Sequence, residues 1–277
     1  MNDKIAEFAA FLRENERAAA TVEKYVRDVK AFAVRSEELG VRSWTKESVI
    51  AYKNYLTEHY AVRSVNSMIA SLNAYFDFLG RSDLKLRSLK LQREVYCEES
   101  RELTREEYER LCRAAEAKHN ERLNLILQTI CGTGIRVSEL RFITVEAVRR
   151  GEAVVSLKGK TRTVLLVKPL QKKLLRYITE RGIASGAVFV TRSGKPMSRT
   201  NIWREMKALC REAAVDPRKV FPHNLRHLFA RIFYGLDNDI AKLADILGHS
   251  SIETTRIYII SSGTEHRRRM EAMHLIL

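Results

Sequence analysis

The sequence is poor in acid and in the residue patterns that hold cofactors. Its four cysteines, Cys97, Cys112, Cys131 and Cys210, stand apart with no C-x-x-C spacing and no histidine pair beside them. That argues against a zinc site or a disulfide framework and predicts reduced, packed thiols. No apolar run reaches the ~18 residues a membrane helix requires. The opening MNDKIAEFAAFLREN carries acids and a helical period, where a signal peptide has a basic start and a continuous apolar core. A soluble cytoplasmic protein with no membrane association is expected. No G-x-x-x-x-G-K-[ST] occurs, which disfavours nucleotide binding on a phosphate loop. Acidic side chains number 34 against 49 lysines and arginines, a net charge of +15. An excess of that size attracts polyanions, although a basic surface also serves solubility.

The 277 residues allow one large domain or two smaller ones. The first ninety read as helices. Ile5, Phe8, Ala9 and Leu12 recur at helical spacing, as do Val22, Tyr25, Val26, Val29 and Phe32 behind a Thr21 cap. Val49, Tyr52, Tyr55 and Leu56 give a third helix, and the stripe from Val65 to Leu79 a fourth that ends at Gly80. Residues 85–101 are polar and mixed in charge and read as a linker. Residues 1–95 hold 16 basic and 13 acidic side chains, residues 96–277 hold 33 and 21, so the charge excess lies in the second part.

That second part opens with a capping box, Thr104 to Glu107. Leu123, Ile126, Leu127 and Ile130 predict a buried helix running into Gly132-Thr133-Gly134, where the glycines let the backbone turn and Arg136 reach inward. Arg136 and Glu139 then open the next helix. From Ala153 to Val167 the period changes to that of strands around a basic turn, Lys158-Gly159-Lys160-Thr161-Arg162. Val188-Phe189-Val190 reads as another short strand, and Arg199 to about Ala214 as helix with Ile202, Met206 and Leu209 inward. The fold class is mainly α with a small antiparallel β-sheet.

Chemistry concentrates in FPHNLRHLFA and ILGHSSIETTRIYI, residues 221–230 and 246–259. A phosphodiester undergoing transfer without metal needs guanidinium groups on its oxygens, a side-chain nucleophile and proton carriers. Arg226 suits the first role, Tyr258, on what reads as an Ile-rich helix, the second, and His223 and His249 the third. Singly, each is as well explained by packing. Together, His223-Asn224-Leu225-Arg226, Leu247-Gly248-His249 and Tyr258, with Thr133-Gly134-Ile135-Arg136-Val137-Ser138-Glu139-Leu140 upstream, form one ordered set.

This set resembles the tyrosine recombinase (phage integrase) family, whose boxes T-G-x-R-x-x-E-L, H-x-L-R-H, L-G-H and Tyr follow in that order. Leu228 and Arg231 depart from it, standing where many relatives carry threonines. The resemblance implies a helical, SAM-like core-binding domain at 1–84, the linker at 85–101, and a catalytic domain at 102–277 whose C-terminal helix, from 264, docks on a neighbouring protomer. It implies that Arg136 and Arg226 clamp the scissile phosphate, that His249 donates a hydrogen bond, and that Tyr258 attacks. His223 accepts the tyrosine proton, Lys158 acts as general acid with Lys160 as the other choice on the hairpin, and Glu139 orients its neighbours. No cofactor or metal is implied.

The expected activity is site-specific recombination of the Xer-like kind through a 3′-phosphotyrosine intermediate, in integration or excision of a mobile element or in resolution of DNA multimers. Its expected partner is a double-stranded DNA recombination site. A homotetramer with two sites synapsed, with or without a paralogue or accessory protein, completes the expectation. A type IB topoisomerase shares the chemistry and is the alternative. A non-catalytic basic DNA-binding protein would instead tolerate Tyr258→Phe.

Overall fold

A computed structural model of the chain describes residues 2–41, 43–90, 101–157, 159–259 and 270–273. The chain divides into two compact units, 1–93 and 94–277, each around its own apolar core.

The first unit consists of α1 (Asn2–Glu14), α2 (Ala19–Glu38), α3 (Lys46–His59) and α4 (Val62–Phe78). The apolar stripes of the sequence turn inward: Phe8, Val29, Phe32, Val49, Leu56, Val65, Ile69, Leu72 and Phe76 are essentially buried. Phe32 meets Tyr52 edge-on at 5.0 Å between ring centroids and Phe76 at 5.9 Å, contacts that add about 1 kcal/mol each beyond area burial. Helix α2 starts before Thr21, with Ala18 at its cap and no side-chain cap bond. The alanines at 18–20 extend the helix backwards past the expected threonine. A buried carboxylate, Asp28, ties α2 to α4 by accepting from Lys24 Nζ at 2.6 Å and Ser71 Oγ at 2.9 Å.

Residues 85–90 run along these helices. Asn73 donates to Leu86 O and accepts from Leu86 N at 2.9 and 2.8 Å, and Asn66 does the same for Leu89 at 2.9 and 2.7 Å. Each amide thus replaces a β-bridge. Residues 91–100 of the expected linker lie outside the described residues.

The second unit is mostly helical: α5 (Arg105–Ala117), α6 (Glu121–Thr133), a 3-10 turn (Val137–Phe142), α7 (Val145–Arg150), the hairpin β1 (Glu152–Leu157) and β2 (Lys160–Leu165), α8 (Lys168–Glu180), α9 (Arg199–Lys207), α10 (Pro222–Asp237), α11 (Ile240–Leu247) and α12 (Ile252–Arg256). The capping box at Thr104 forms as expected. Among the described residues the sheet is a single antiparallel pair in which Val155 faces Arg162 and Ala153 faces Val164. These four share the inward face, and three of them are apolar and buried.

Several expectations are corrected. Strand β2 already begins at Lys160, so Lys160, Thr161 and Arg162, expected in the turn, belong to β2. Residues 188–190 form no strand; Val190 makes an isolated bridge to Pro196, and Ala187 just before them makes one to Thr144. Helix α9 stops at Lys207, and the chain continues in turns to Ala214 at φ 49°. Helix α8 was not expected. Tyr258 lies in the turn after the five-residue α12, on no long helix. Of the C-terminal helix expected from 264, only residues 270–273 are described. Among the described residues no helix is long and apolar enough to cross a membrane. Cys112, Cys131 and Cys210 are free thiols.

Candidate active site

Helix α6 ends on Gly134, whose left-handed backbone (φ 64°) turns the chain sharply. A Cβ there would lie 2.5 Å from Phe229 and 2.9 Å from Leu247, so only glycine lets this corner meet α10 and α11. The turn delivers Arg136 to the cap position of the 3-10 turn. Glu139, 2% exposed, accepts from the Arg136 backbone N–H and from its Nη1, both at 2.9 Å. Arg162, from β2, donates to the same carboxylate at 2.7 Å. Burial works to raise the Glu139 carboxyl, but the Arg136 N–H and the two guanidinium groups outweigh it and hold it below the ordinary carboxylate range.

Helix α10 begins at Pro222 in its first turn, where a missing N–H costs nothing. Its first turns carry His223, Arg226 and His227. Arg226 is 1% exposed. It donates to Gly134 O, to Leu247 O at 2.7 Å and to His249 Nε2 at 2.9 Å, while its Nε has no partner. Burial and the neighbouring Arg136 push its pKa down to about 10, which still leaves it cationic at neutral pH. All three acceptors are neutral. A buried cation held by two carbonyls and an imidazole, with no carboxylate among the described residues, keeps its charge available for an incoming anion.

His249 follows α11 through Gly248 (φ 64°). Its Nδ1 lies 2.9 Å from the hydroxyl of Thr255, a fully buried residue of α12. Because Arg226 donates to Nε2, the ring carries its hydrogen on Nδ1 and donates to Thr255. Burial, then Arg226, Arg136 and Arg162, pushes its pKa down to about 4. His227 is likewise held at about 4, by burial and then by His223 and Arg226. His223, the most open of the three, is lowered by partial burial and then by Arg226, Arg136 and Arg199. All three imidazoles are neutral at pH 7.

Tyr258, 6% exposed, sits among them. Its ring stacks on His227 at 4.3 Å, stands edge-on to His223 at 5.2 Å, and lies 5.1 Å from His249 and 5.7 Å from the Arg226 guanidinium carbon. Beside this group opens a cavity of about 810 Å³ lined by Arg136, Ser138, Glu139, Arg162, His249 and Thr254.

Arg136, His223, Arg226, His249 and Tyr258, spread over 123 positions of sequence, are thus neighbours around one buried corner. Lys158 lies outside the described residues, and of Lys160 only the backbone is described. Three participants escaped the sequence reading: Arg162, His227 and Thr255. His227 lies inside the H-x-L-R-H box, and Thr255 stands one helical turn before Tyr258. Leu228 packs into the core, and Arg231 pairs with Glu102 and donates to Leu103 O at 2.6 Å, so both departures serve packing.

The model of the phage integrase family matches residues 101–265, and that of the phage integrase N-terminal SAM-like domain matches 5–83. Tyrosine recombinase XerA of Pyrococcus furiosus is 28% identical over 99% of this chain and 95% of its own length. Tyrosine recombinase XerD of Halalkalibacterium halodurans is 27% identical over 96% of each. Two crystal structures share the fold at low identity. XerH recombinase bound to its difH substrate before cleavage has a TM-score of 0.69 at 18% identity, over 94% of this chain and 83% of that one. A lambda integrase dimer bound to a COC′ core site has 0.72 at 16%, over 94% and 95%. The topoisomerase alternative finds no support in these likenesses. With both family models matched in order and the boxes folded into one site, the chain belongs to the phage integrase family, as a tyrosine-type site-specific recombinase.

Proposed function

We propose that the enzyme cleaves and rejoins duplex DNA at a specific site through Tyr258, in integration or excision of a mobile element or in resolution of DNA multimers. The observation that carries this is the enclosure of one tyrosine by three neutral imidazoles and a buried arginine that no carboxylate of the described residues neutralises. Tyr258 Oη attacks the phosphorus, its proton passing to neutral His223, and the bond to the 5′ oxygen breaks. Lys158 supplies the proton that the departing 5′ oxygen takes up. The product is a 3′-phosphotyrosine and a free 5′ hydroxyl. Attack by a 5′ hydroxyl from another strand reverses these steps and exchanges the strands.

Arg136 and Arg226 hold the nonbridging oxygens, where the transition state gathers charge. His249 accepts from Arg226 in the free enzyme. An anionic oxygen that takes over the Arg226 N–H also favours a hydrogen on Nε2, which turns His249 into a donor.

The helical core-binding domain (1–84) serves as one half of a clamp on the duplex, joined through residues 85–101 to the catalytic domain (102–277). A homotetramer synapsing two sites, with docking by the C-terminal helix and an accessory protein or paralogue where direction is controlled, completes the reading, as does a cytoplasmic setting. The full-length match to XerA and XerD recombinases and the DNA-bound state of the XerH and lambda integrase structures support it. The test is covalent trapping with DNA flanking the protein's own gene, run beside Tyr258→Phe. An adduct absent from the variant is expected, and sequencing the trapped end gives the site. Tight binding with no adduct on intact or nicked duplexes would reject the reading in favour of a non-cleaving DNA-binding protein.

A further inference from the structure

Arg162 stands on the inward face of the hairpin, where its strand neighbours Val164 and Val155 are buried. Its guanidinium joins three segments distant in sequence. Nη2 donates to Glu139 Oε2 at 2.7 Å, and Nη1 donates to Ile246 O at 2.8 Å. Its stem lies against Gly248, where a Cβ would come within 2.2 Å of Arg162 Cδ. The three segments are the hairpin, the turn that carries Arg136, and the corner that carries His249.

The charges decide what this does. One buried carboxylate, Glu139, is shared by two guanidinium groups. With Arg162 in place the trio keeps a net positive charge, and the more exposed partner is Arg136, whose side chain is 38% exposed against 13% for Arg162. Without Arg162, Glu139 would pair with Arg136 alone, cancel its charge and draw it back from the cavity. We propose that Arg162 is a positioning residue for strand cleavage: by occupying one side of the Glu139 carboxylate it keeps Arg136 cationic and directed at the scissile phosphate.

The inference rests on the tyrosine reaction proposed above, and the test separates the two. The full-length protein would be assayed for covalent adduct formation on a nicked duplex bearing the trapped site. One version has a normal scissile phosphate, the other a methylphosphonate, in which a neutral methyl replaces one charged nonbridging oxygen. Arg162→Met is expected to slow cleavage of the phosphate substrate about 30-fold or more while changing its Kd less than threefold. On the methylphosphonate, which demands less positive charge, the loss is expected to shrink at least fivefold. Arg162→Lys restores the charge with a single donor and is expected to recover most of the rate. It also carries the comparison if the methionine variant fails to fold, since its smaller deficit should shrink on the neutral substrate too. Equal losses on both substrates, or an unimpaired Arg162→Met enzyme, would overturn the positioning role. Absence of adduct with the unaltered protein would instead overturn the cleavage reading itself.

Discussion

Replacing Thr255 by valine removes one hydroxyl and almost no volume from a fully buried position, and its consequence follows from a chain of two hydrogen bonds. Arg226 donates to His249 Nε2, so His249 must donate from Nδ1, and Thr255 Oγ1 is the acceptor. Valine leaves that N–H without a partner. Turning the tautomer over does not help, because Nε2–H would then face the Arg226 donor. The orphaned donor costs about 1–3 kcal/mol. For a unit of this size that lowers Tm by about 3–8 °C. The freed ring also loses its aim, and we expect adduct formation to slow about tenfold or more with DNA affinity nearly unchanged. Thr255→Ser keeps the hydroxyl and gives up only a methyl, so it should stay within about 1 kcal/mol of the parent and cleave at a similar rate. Thermal unfolding by circular dichroism and single-turnover trapping measure both quantities. Valine and serine variants indistinguishable in Tm and rate would refute the argument.

Other outcomes follow from the same structure. His227 and His249 titrate near 4 in the folded chain against about 6.5 when unfolded, so the unfolded state binds more protons between those values. Stability should therefore be complete above pH 6.5 and fall towards pH 4, by up to about 1.4 kcal/mol per pH unit for each ring; His227→Phe should flatten that slope in a Tm-against-pH series. Gly134→Ala meets both a left-handed backbone and the Phe229 ring, and should lower stability by about 2–4 kcal/mol in denaturant unfolding. Arg226→Lys keeps a charge but cannot reach Gly134 O, Leu247 O and His249 together, and should cut the single-turnover cleavage rate about 100-fold or more. Asn73→Ala should release the Leu86 amide, seen as faster hydrogen exchange there with little change elsewhere in α4.

What the sequence disclosed, and what it hid, has physical causes. Helices with a clean apolar period, such as α4 and α6, are legible because burial alone orders them. Helix α8 has the same pattern in Leu170, Leu174, Tyr177 and Ile178, but its polar face, Gln171-Lys172-Lys173, dilutes the signal. The corner built from Arg136, Arg226, His249 and Tyr258 shows up as boxes because the first three couple a polar side chain to the glycine or helix start that aims it, Gly134, the α10 start at Pro222 and Gly248. Arg162 was hidden because a short basic run looks like a solvated turn. The alternation Arg162, Val164, Leu166 did hold a clue, since it sets an arginine in line with two buried residues of the same face. His227 and Thr255 bond or stack on residues 6–31 positions away, and no local period reports such contacts.

The most direct test of the central claim is to identify the amino acid that carries the DNA. Trapped protein would be digested with nuclease and protease and the peptides sequenced by mass spectrometry. A nucleotide phosphate on Tyr258, joined through the 3′ end of the cleaved strand, is the result this account predicts. The same mass on Tyr234, on a serine or on no residue at all would contradict it.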